Sequence, residues 1–399
     1  AVYFRAPHSY TGEDMFELNL HGSYSVVSAV SRALTRRGMR LAEAGEFTKR
    51  AFLNGKMDLV QADAVMDLIN AETRRGASAA LEQLEGGLSR RIGAIEEKLL
   101  DFASELAAAM DYPEEMEDEV LSAAPEVLNS EISRIRDLID NGNCNKIIRE
   151  GAKLAILGRP NVGKSSLLNA LMNAERAIVT NIAGTTRDVL EEKIDLLGLP
   201  VRIADTAGIH ETGDAVEKIG IERALHEAAS AECVLLLFDG SAGITQEDEI
   251  LVQKVFGMNC RNVIFVINKC DLPDCGTAAE KLKNIAPENV GSISRISCRT
   301  GFGLDELKHR IAEAVGLSEG RAIVTNERHI ECLSAACAEL CEAAELFSKG
   351  GNAAEMLLPQ TELVAESVGN ALHCLGEISG REVSEELLDR IFERFCVGK

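Results

Sequence analysis

The stretch from Lys153 to Leu171 constrains the fold of this chain more than any other part of the sequence. Lys153 to Leu157 are mostly apolar, which predicts a buried strand, and Ser165 to Leu171 follow helical spacing. Between them stand Gly158, four further residues and Gly163-Lys164-Ser165, which is the spacing of a phosphate-binding loop. In such a loop the backbone N–H groups and the helix N-terminus attract phosphate, the lysine reaches the terminal phosphates and the serine hydroxyl can bind Mg²⁺.

The alternative, a glycine turn that binds nothing, leaves three downstream motifs unexplained. Asp205-Thr206-Ala207-Gly208 follow the apolar strand Val201 to Ala204. A carboxylate there can hold Mg²⁺ through water, and a glycine amide can contact a γ-phosphate. Asn268-Lys269-Cys270-Asp271 end the strand Val263 to Ile267, where a carboxylate can accept two hydrogen bonds from guanine that adenine cannot supply.

The third motif is Ser297-Cys298-Arg299, after the strand Ile293 to Ile296, where backbone amides can contact the guanine carbonyl. Because ligands of open α/β sheets bind at the carboxyl ends of the strands, we expect all four motifs to meet at one edge. Their order resembles that of the translation-factor-like GTPases. The sequence therefore predicts a P-loop GTPase domain.

This sequence lacks the residue that positions the attacking water in Ras-like enzymes. Those enzymes have a glutamine after the equivalent of Gly208, but this chain has Ile209, an apolar residue that cannot position water. The segment Thr180 to Asp188 is predicted to close over the γ-phosphate, with Thr186 as the second Mg²⁺ ligand beside Ser165.

A monovalent cation is a candidate for the missing catalytic charge. Asn161 inside the phosphate loop, together with Thr180, Ile182 and Thr185 of the closing segment, can form a cage of oxygen ligands for K⁺. Such a cation would replace an arginine finger, which accelerates hydrolysis by roughly 10³ to 10⁵. The residues predicted to contact GTP are Asn161, Val162, Gly163, Lys164, Ser165, Ser166, Thr180, Asn181, Ile182, Ala183, Gly184, Thr185, Thr186, Asp205, Thr206, Ala207, Gly208, Asn268, Lys269, Cys270, Asp271, Ser297, Cys298 and Arg299.

Composition limits the class of protein and its partners. The chain has 399 residues, 46% of them hydrophobic, which predicts two or three domains. A net charge of −22 argues against broad electrostatic binding of nucleic acid, so an RNA partner would need a local patch or a second protein. We recognise no signal peptide and no run of about 18 apolar residues, so we expect a cytoplasmic protein with no membrane partner.

The eleven cysteines are expected to be reduced thiols in such a protein. Cys332, Cys337 and Cys341 are close enough in sequence to suggest a metal site, but on a helix Cys332 lies opposite Cys341, so a core role is favoured. Cys270 and Cys275, in and just after the base-specificity motif, are interpreted as incidental.

The chain outside the GTPase motifs is predicted to be mainly helical. Residues 1–56 resemble part of an α/β domain, with a strand from Phe16 to Leu20 and a helix from Ser23 to Arg37, and this domain is expected to lack its first half. A stripe from Leu81 to Leu106, weakened at Gly86-Gly87, predicts a long helix that ends at Tyr112-Pro113 and the following acidic run. The predicted domains are 1–56, 57–148 (helical), 149–320 (GTPase) and 321–399 (helical).

The two helical parts leave two arrangements open, namely two separate helical domains or one that the GTPase domain interrupts. We favour the second, because neither part has enough apolar partners to cover its own stripe. The predicted fold class is therefore multidomain α/β plus all-α, with a P-loop GTPase domain inserted into a helical bundle and a partial N-terminal α/β domain.

Longer motifs resemble one family over the whole chain, the MnmE (TrmE) family of tRNA-modifying GTPases. They are Gly158 to Ser166, Gly184 to Asp188, Asp205 to Gly208 followed by Val216 to Arg223, and the terminal Phe395-Cys396-Val397-Gly398-Lys399. The N-terminal part adds Tyr10 to Asp14 and Arg50 to Lys56. The GTPase motifs alone would also fit ribosome-assembly GTPases, whereas the terminal cysteine motif would not.

The resemblance implies a homodimer with a pocket for 5-formyltetrahydrofolate at the interface of its N-terminal domains. Glu17, Lys56 and Lys399 would contact the folate, and Glu217 would take over the task of the missing glutamine through a bridging water. Mg²⁺ and K⁺ are the implied ions. From the residues alone, Glu17, Lys56 and Glu217 would be interpreted as solvated charges.

The reaction implied adds an aminomethyl-type group to C5 of the wobble uridine of certain tRNAs. It is carried out jointly with the partner MnmG (GidA), which binds the FAD. Cys396 would be the redox or nucleophilic residue, although its sequence context alone suggests an incidental thiol. Two other functions remain open, a ribosome-assembly GTPase and a GTP-driven dimerisation scaffold.

Overall fold

The computed structural model describes residues 1–111, 113–174, 192–203, 225–258, 260, 262–273, 275–285, 293–316, 326–349 and 358–395. The chain divides into two compact units, each built from separate parts of the sequence. The helical unit comprises Ala1–Asn70, Ser78–Gly142 and Asn326–Lys399, and the sheet unit comprises Ala71–Ala77 and Asn143–Thr325.

The first part of the chain forms a short hairpin and six helices. The hairpin pairs β1 with β2 antiparallel, with Val2 opposite Glu17 and Phe4 opposite Met15. The predicted strand Phe16 to Leu20 is thus shifted, because pairing with β1 ends at Glu17. The elements are β1 (Val2–Phe4), β2 (Met15–Glu17), α1 (Tyr24–Thr35), α2 (Glu46–Leu53), α3 (Leu59–Asn70), α4 (Arg74–Leu84), α5 (Gly87–Asp111) and α6 (Pro113–Glu150).

The helix boundaries differ from the predicted ones in two places. The stripe that begins at Leu81 belongs to two helices, because Gly86 has a left-handed φ of +81° and separates α4 from α5. At Pro113 the chain does not leave helical structure, since α6 begins there and contains the acidic run. Proline fits the first position of a helix, whose N–H has no partner.

The sheet unit has a six-stranded sheet in the order β4-β5-β3-β6-β7-β8. β4 and β5 form an antiparallel hairpin, and the other neighbours are parallel. All seven residues of β6 are buried, as expected of a strand covered on both faces. The elements are β3 (Ala152–Leu157), α7 (Lys164–Ala174), β4 (Glu192–Leu196), β5 (Leu199–Ile203), β6 (Cys233–Asp239), α8 (Gln246–Gly257), β7 (Val263–Asn268), α9 (Cys275–Ile285), β8 (Ile293–Arg295) and α10 (Leu304–Ala314).

The last part of the chain adds α11 (Glu327–Lys349), α12 (Leu358–Ser379) and α13 (Glu385–Phe392) to the helical unit. Leu59 of α3 packs in one cluster with Phe392 and Phe395, so the two ends of the sequence share a core. The rings of Phe392 and Phe395 have centroids 4.9 Å apart. No helix in the described part of the chain is long and apolar enough to span a membrane.

Candidate functional site

The phosphate loop follows β3 and leads into α7, as predicted, and two glycines allow a close approach of the backbone. A Cβ on Gly158 would lie 2.5 Å from the Leu237 carbonyl oxygen, and a Cβ on Gly163 would lie 2.3 Å from Nδ2 of Asn268. Gly163 also has a left-handed φ of +107°. A larger residue at either position would therefore displace the loop, which explains why the sequence has glycine there.

Lys164 lies across this loop. Its ammonium group donates hydrogen bonds to the carbonyl oxygens of Gly158, at 2.7 Å, and Arg159, at 2.9 Å. Ser165 follows in the first turn of α7 and is partly exposed. A lysine ammonium, a serine hydroxyl and a helix N-terminus are thus collected at one end of β3, an arrangement that can hold phosphate oxygens.

Asn161 occupies an unusual backbone conformation within the loop. Its φ is 63°, in the left-handed region that asparagine tolerates better than most residues, and its side chain is exposed. Its carbonyl oxygen accepts a hydrogen bond of 3.0 Å from Nζ of Lys269. The same ammonium pairs with Oδ2 of Asp239 at 2.5 Å. Lys269 therefore connects the phosphate loop to the ends of β6 and β7.

Asp239 was not among the residues predicted from sequence. Burial alone would raise its pKa, but hydrogen bonds from Lys269 and Ser241 outweigh that effect and hold the pKa below its usual value. The signal that would have identified it is its position, since it ends an apolar strand, like the carboxylates of the predicted motifs.

Asn268 joins three of the predicted motifs. It is buried at the end of β7. Its Nδ2 donates to the Val162 carbonyl at 3.0 Å, and its Oδ1 accepts from the backbone N–H of Cys298 at 3.2 Å. The phosphate loop, the loop after β7 and the loop after β8 are thereby held together by one side-chain amide.

Asp271 presents a carboxylate at the same edge. Its Oδ1 accepts a 2.6 Å hydrogen bond from the Ser297 hydroxyl, and its Oδ2 lies 2.7 Å from Nη2 of Arg299. The Ser297 hydroxyl, with a smaller contribution from Arg299, holds the pKa of Asp271 below its usual value. The group is therefore an ionised acceptor at neutral pH, which can take two N–H donors from the edge of a base.

Arg159, which follows Gly158 in the phosphate loop, is held in place by a buried carboxylate. Nε of Arg159 donates to Oδ1 of Asp248 at 2.8 Å, and that carboxylate is fully buried at the start of α8. The other oxygen of Asp248 accepts from the backbone and the hydroxyl of Thr245, both at 2.9 Å. Sequence reasoning missed this pair because the two residues are distant in the chain.

One prediction about the cysteines is wrong. Cys270 and Cys275 form a disulfide, with their Cα atoms 5.3 Å apart, so the thiols of the chain are not all reduced. The neighbouring Cys298 is free, and burial raises its pKa to about 11. Its contribution to the edge is its backbone N–H rather than its sulfur.

The other cysteine cluster lies in the helical unit. Cys337 is buried, as a core role predicts, but Cys332 and Cys341 are only partly buried. The Cys341 sulfur accepts a 3.3 Å hydrogen bond from Arg136, whereas Cys332 lies 3.8 Å from the Glu377 carboxylate. The sulfurs of Cys332 and Cys341 thus have different polar partners.

Two predicted folate residues lie in the helical unit. Lys56 donates a 3.0 Å hydrogen bond to the Pro7 carbonyl, and Glu17 is exposed at the end of β2. Lys56 also lines a cleft of about 350 Å³, together with Phe52, Met57 and Arg381. The remaining predicted site residues lie outside the described part of the chain: Thr180, Asn181, Ile182, Ala183, Gly184, Thr185, Thr186, Asp205, Thr206, Ala207, Gly208, Glu217, Cys396 and Lys399.

Comparisons with known proteins cover the whole chain. Residues 1–56 match the family described as "GTP-binding protein TrmE N-terminus", and residues 59–396 match the "MnmE helical domain". The chain is 43% identical to the tRNA modification GTPase MnmE of Moorella thermoacetica, over 99% of this chain and 84% of that protein.

Two further relatives give the same result. The tRNA modification GTPase MnmE of Aquifex aeolicus is 42% identical over 100% of this chain and 86% of its own length. That of Alkaliphilus metalliredigens is 41% identical over 100% of this chain and 84% of its own length. Identity at this level over the full chain means that the chain belongs to the MnmE (TrmE) family of tRNA modification GTPases and is a GTP hydrolase.

Proposed function

We propose that this chain is a potassium-activated GTPase that, with the FAD-binding partner MnmG (GidA), adds an aminomethyl-type group to C5 of the wobble uridine of certain tRNAs. The observation that carries the proposal is the edge where Asn268 links the phosphate loop to the loop containing Cys298. It is supported by similarity to tRNA modification GTPases over the full chain.

Guanine is recognised by the Asp271 carboxylate, which accepts one hydrogen bond from N1–H and one from the 2-amino group of the base. Adenine has an acceptor rather than a donor at N1, so its N1 lone pair would face the carboxylate with no hydrogen between them, and a mismatched polar group costs about 1–3 kcal/mol when buried. The Ser297 hydroxyl, 2.6 Å from Oδ1, orients the carboxylate for this task. The backbone N–H of Cys298, which donates to Oδ1 of Asn268 at 3.2 Å, belongs to the segment that we expect to meet the guanine carbonyl.

The phosphates bind at the loop between Gly158 and Lys164. Of the described residues at this end of the strand, Ser165 supplies a hydroxyl oxygen that fits Mg²⁺, whereas the backbone amides and Lys164 fit phosphate oxygens. Ser165 and Thr186 would hold the ion, with Asp205 acting through water. When bound, Mg²⁺ neutralises the charge that develops on the phosphate oxygens. Lys164 exchanges its carbonyl partners for phosphate oxygens, which it binds more strongly as a charged pair.

Asn161, together with Thr180, Ile182 and Thr185, would hold the potassium ion. The exposed side chain of Asn161 supports this role, since its backbone carbonyl is already paired with Lys269 and leaves the amide for another ligand. Glu217 orients the attacking water in place of the glutamine that Ile209 cannot replace.

The one-carbon unit comes from 5-formyltetrahydrofolate, held by Glu17, Lys56 and Lys399 in a homodimer. The cleft beside Lys56 is also lined by Arg381, which is paired with Glu96 at 3.0 Å, and by Asp58, so Lys56 is the cation that we assign to a folate carboxylate. The net charge of −22 supports a division of labour in which MnmG contributes to holding the tRNA. Because tRNA is the proposed substrate, we place the reaction in the cytoplasm.

Cys396→Ser tests the modification reaction separately from GTP hydrolysis. Serine keeps nearly the same size and removes the nucleophilic thiolate. With MnmG, tRNA and cofactors present, we expect wobble uridine modification to be lost while GTP turnover is unchanged. Cys374→Ser, which alters a partly buried free cysteine of the helical unit, is the matched control and retains both activities. Modification by Cys396→Ser at the wild-type rate would remove this residue from the reaction.

A further inference from the structure

The disulfide between Cys270 and Cys275 spans the loop that carries the proposed guanine reader. Cys270 lies between Lys269 and Asp271, and Cys275 is the first residue of α9. Both half-cystines are partly exposed and pack against the apolar core of the sheet unit. Their Cα atoms are 5.3 Å apart, a separation that a disulfide can span.

The guanine-reading contacts are formed while this bridge is closed. Asp271 lies inside the bridged segment, and its carboxylate is 2.6 Å from the Ser297 hydroxyl. The backbone N–H of Cys270 donates to the Ile296 carbonyl at 3.1 Å, which ties the same segment to the end of β8. The closed bridge and the contact that orients Asp271 are therefore present together.

The structure can also accommodate a reduced Cys270 thiol. The sulfur of Cys270 lies 3.4 Å from the Ile267 carbonyl oxygen, which a thiol S–H can use as an acceptor. Reduction then removes the covalent closure between Cys270 and Cys275 without burying an unpaired polar group. Opening and closing of the bridge thus change how firmly Asp271 is positioned more than they change the fold around it.

We propose that Cys270 and Cys275 form a reversible thiol–disulfide modification site, oxidised by low-molecular-weight disulfides, whose closure slows the release of guanine nucleotide. One cysteine thiolate attacks the small disulfide and releases one thiol. The second cysteine then attacks the mixed disulfide and releases the other thiol, so two protein thiols are oxidised while one disulfide is reduced to two thiols. The bridge pre-orders the loop, and pre-ordering lowers the entropy lost on binding.

The inference rests on the proposed role of Asp271 in reading guanine. The experiment compares the full chain equilibrated with glutathione disulfide and with dithiothreitol, and mass spectrometry of peptides confirms the state of Cys270 and Cys275. Release of a fluorescent GDP analogue is followed by stopped flow. We expect release to be roughly threefold to tenfold slower from the oxidised chain, the size expected when a short loop is ordered in advance.

Cys275→Ser removes the bridge while leaving the residues of the base site in place. We expect its release rate to match that of the reduced wild type in both conditions, and Cys275→Ala to do the same. Cys260→Ser, which changes a free, partly buried cysteine in the same unit, is the matched control and keeps the oxidant response.

The outcomes separate this inference from the proposed function. Equal or faster release from the oxidised wild type, or an oxidant response that survives in both Cys275 variants, would overturn the redox inference alone. Absence of GDP binding in either redox state would overturn the guanine-site assignment, and the redox inference with it.

Discussion

At the scale of single residues, the phosphate loop depends on a backbone conformation that few side chains tolerate. Asn161 has a φ of 63° and offers its carbonyl to Lys269. Alanine in a left-handed conformation costs about 1–2 kcal/mol, whereas glycine adopts it freely. A test of the amide's role in binding K⁺ must therefore separate the loss of the amide from strain in the backbone.

Asn161→Gly makes that separation. Glycine removes the amide oxygen and can still adopt the left-handed backbone conformation. We therefore expect GTP turnover in KCl to fall roughly tenfold or more while GTP affinity stays near that of wild type, because the cation acts in the transition state. Wild type in NaCl should show the same loss. Equal wild-type turnover in the two salts would remove K⁺ from the mechanism, and an Asn161→Gly variant that retained full turnover would remove Asn161.

The residues that sequence reasoning identified belong to motifs whose spacing is fixed by the ligand. Asn268 and Asp271 could be found because strand and loop follow each other in order, and the structure brings both to the predicted edge. The place of Asp239 at the same edge could have been found from the strand that it ends, but its pairing with Lys269 could not, since that residue is 30 positions away and reaches it only in the folded sheet. The bridge from Cys270 to Cys275 was missed because composition gave only a general expectation of reduced thiols.

At the scale of elements, the start of α8 is a structural support for the phosphate loop. Its capping box joins Thr245 and Asp248, and the buried carboxylate of Asp248 also accepts from Arg159. A capping signal can be read from sequence, but the third partner cannot, because it comes from a loop 89 residues earlier. At Gly86, by contrast, a single residue with a left-handed φ determines where α4 ends and α5 begins.

Asp248→Ala tests this support. The change leaves the donors of Arg159 and Thr245 without their buried acceptor, so we expect a loss of about 2–3 kcal/mol in the free energy of unfolding. GTP affinity should also fall, because Arg159 is no longer held. Glu247→Ala, at an exposed neighbouring position, should change stability by less than about 0.5 kcal/mol. Denaturant unfolding followed by circular dichroism gives both values, and similar losses in the two variants would contradict the assignment.

At the scale of the whole molecule, a buried cluster joins distant parts of the helical unit. Asp63 of α3 lies 2.9 Å from Nη2 of Arg328 and 3.1 Å from Nε2 of His329, both on α11. Nδ2 of Asn326 lies 3.3 Å from the same oxygen. Composition and periodicity predicted that both helical parts contribute apolar stripes, but they contain no signal for the charged contact between Asp63 and Arg328, 265 residues apart.

The cluster predicts a pH dependence of stability. Burial alone would raise the pKa of Asp63, but His329 and Arg328 outweigh it and hold the pKa below its usual value. A lowered folded-state pKa stabilises the protein above the unfolded-state value of about 3.9, and the contribution is lost as the pH falls through the folded-state pKa. Asp63→Asn should therefore cost about 3 kcal/mol at neutral pH.

The difference between Asp63→Asn and wild type should begin to shrink as the pH falls below about 4, where the unfolded-state carboxylate becomes protonated. It should vanish once the pH is also below the lowered folded-state pKa, where the carboxyl group is neutral in both states. Thermal unfolding at neutral and acidic pH measures it. Asp101→Asn, an exposed position on α5, should show little loss at either pH. A deficit in Asp63→Asn that stayed constant across this range would mean that packing rather than charge is responsible.

The most direct test of the account is the base preference of Asp271→Asn. An asparagine amide complements the 2-oxo edge of xanthine and mismatches guanine, so the affinity for GTP should fall roughly tenfold or more, and that for xanthosine triphosphate should rise. Asp305→Asn, in which a highly exposed carboxylate of the same unit is changed, should bind GTP like the wild type. Equilibrium titrations with fluorescent analogues of both nucleotides give the two affinities. Unchanged GTP affinity in Asp271→Asn would contradict the assignment of this edge as the guanine site.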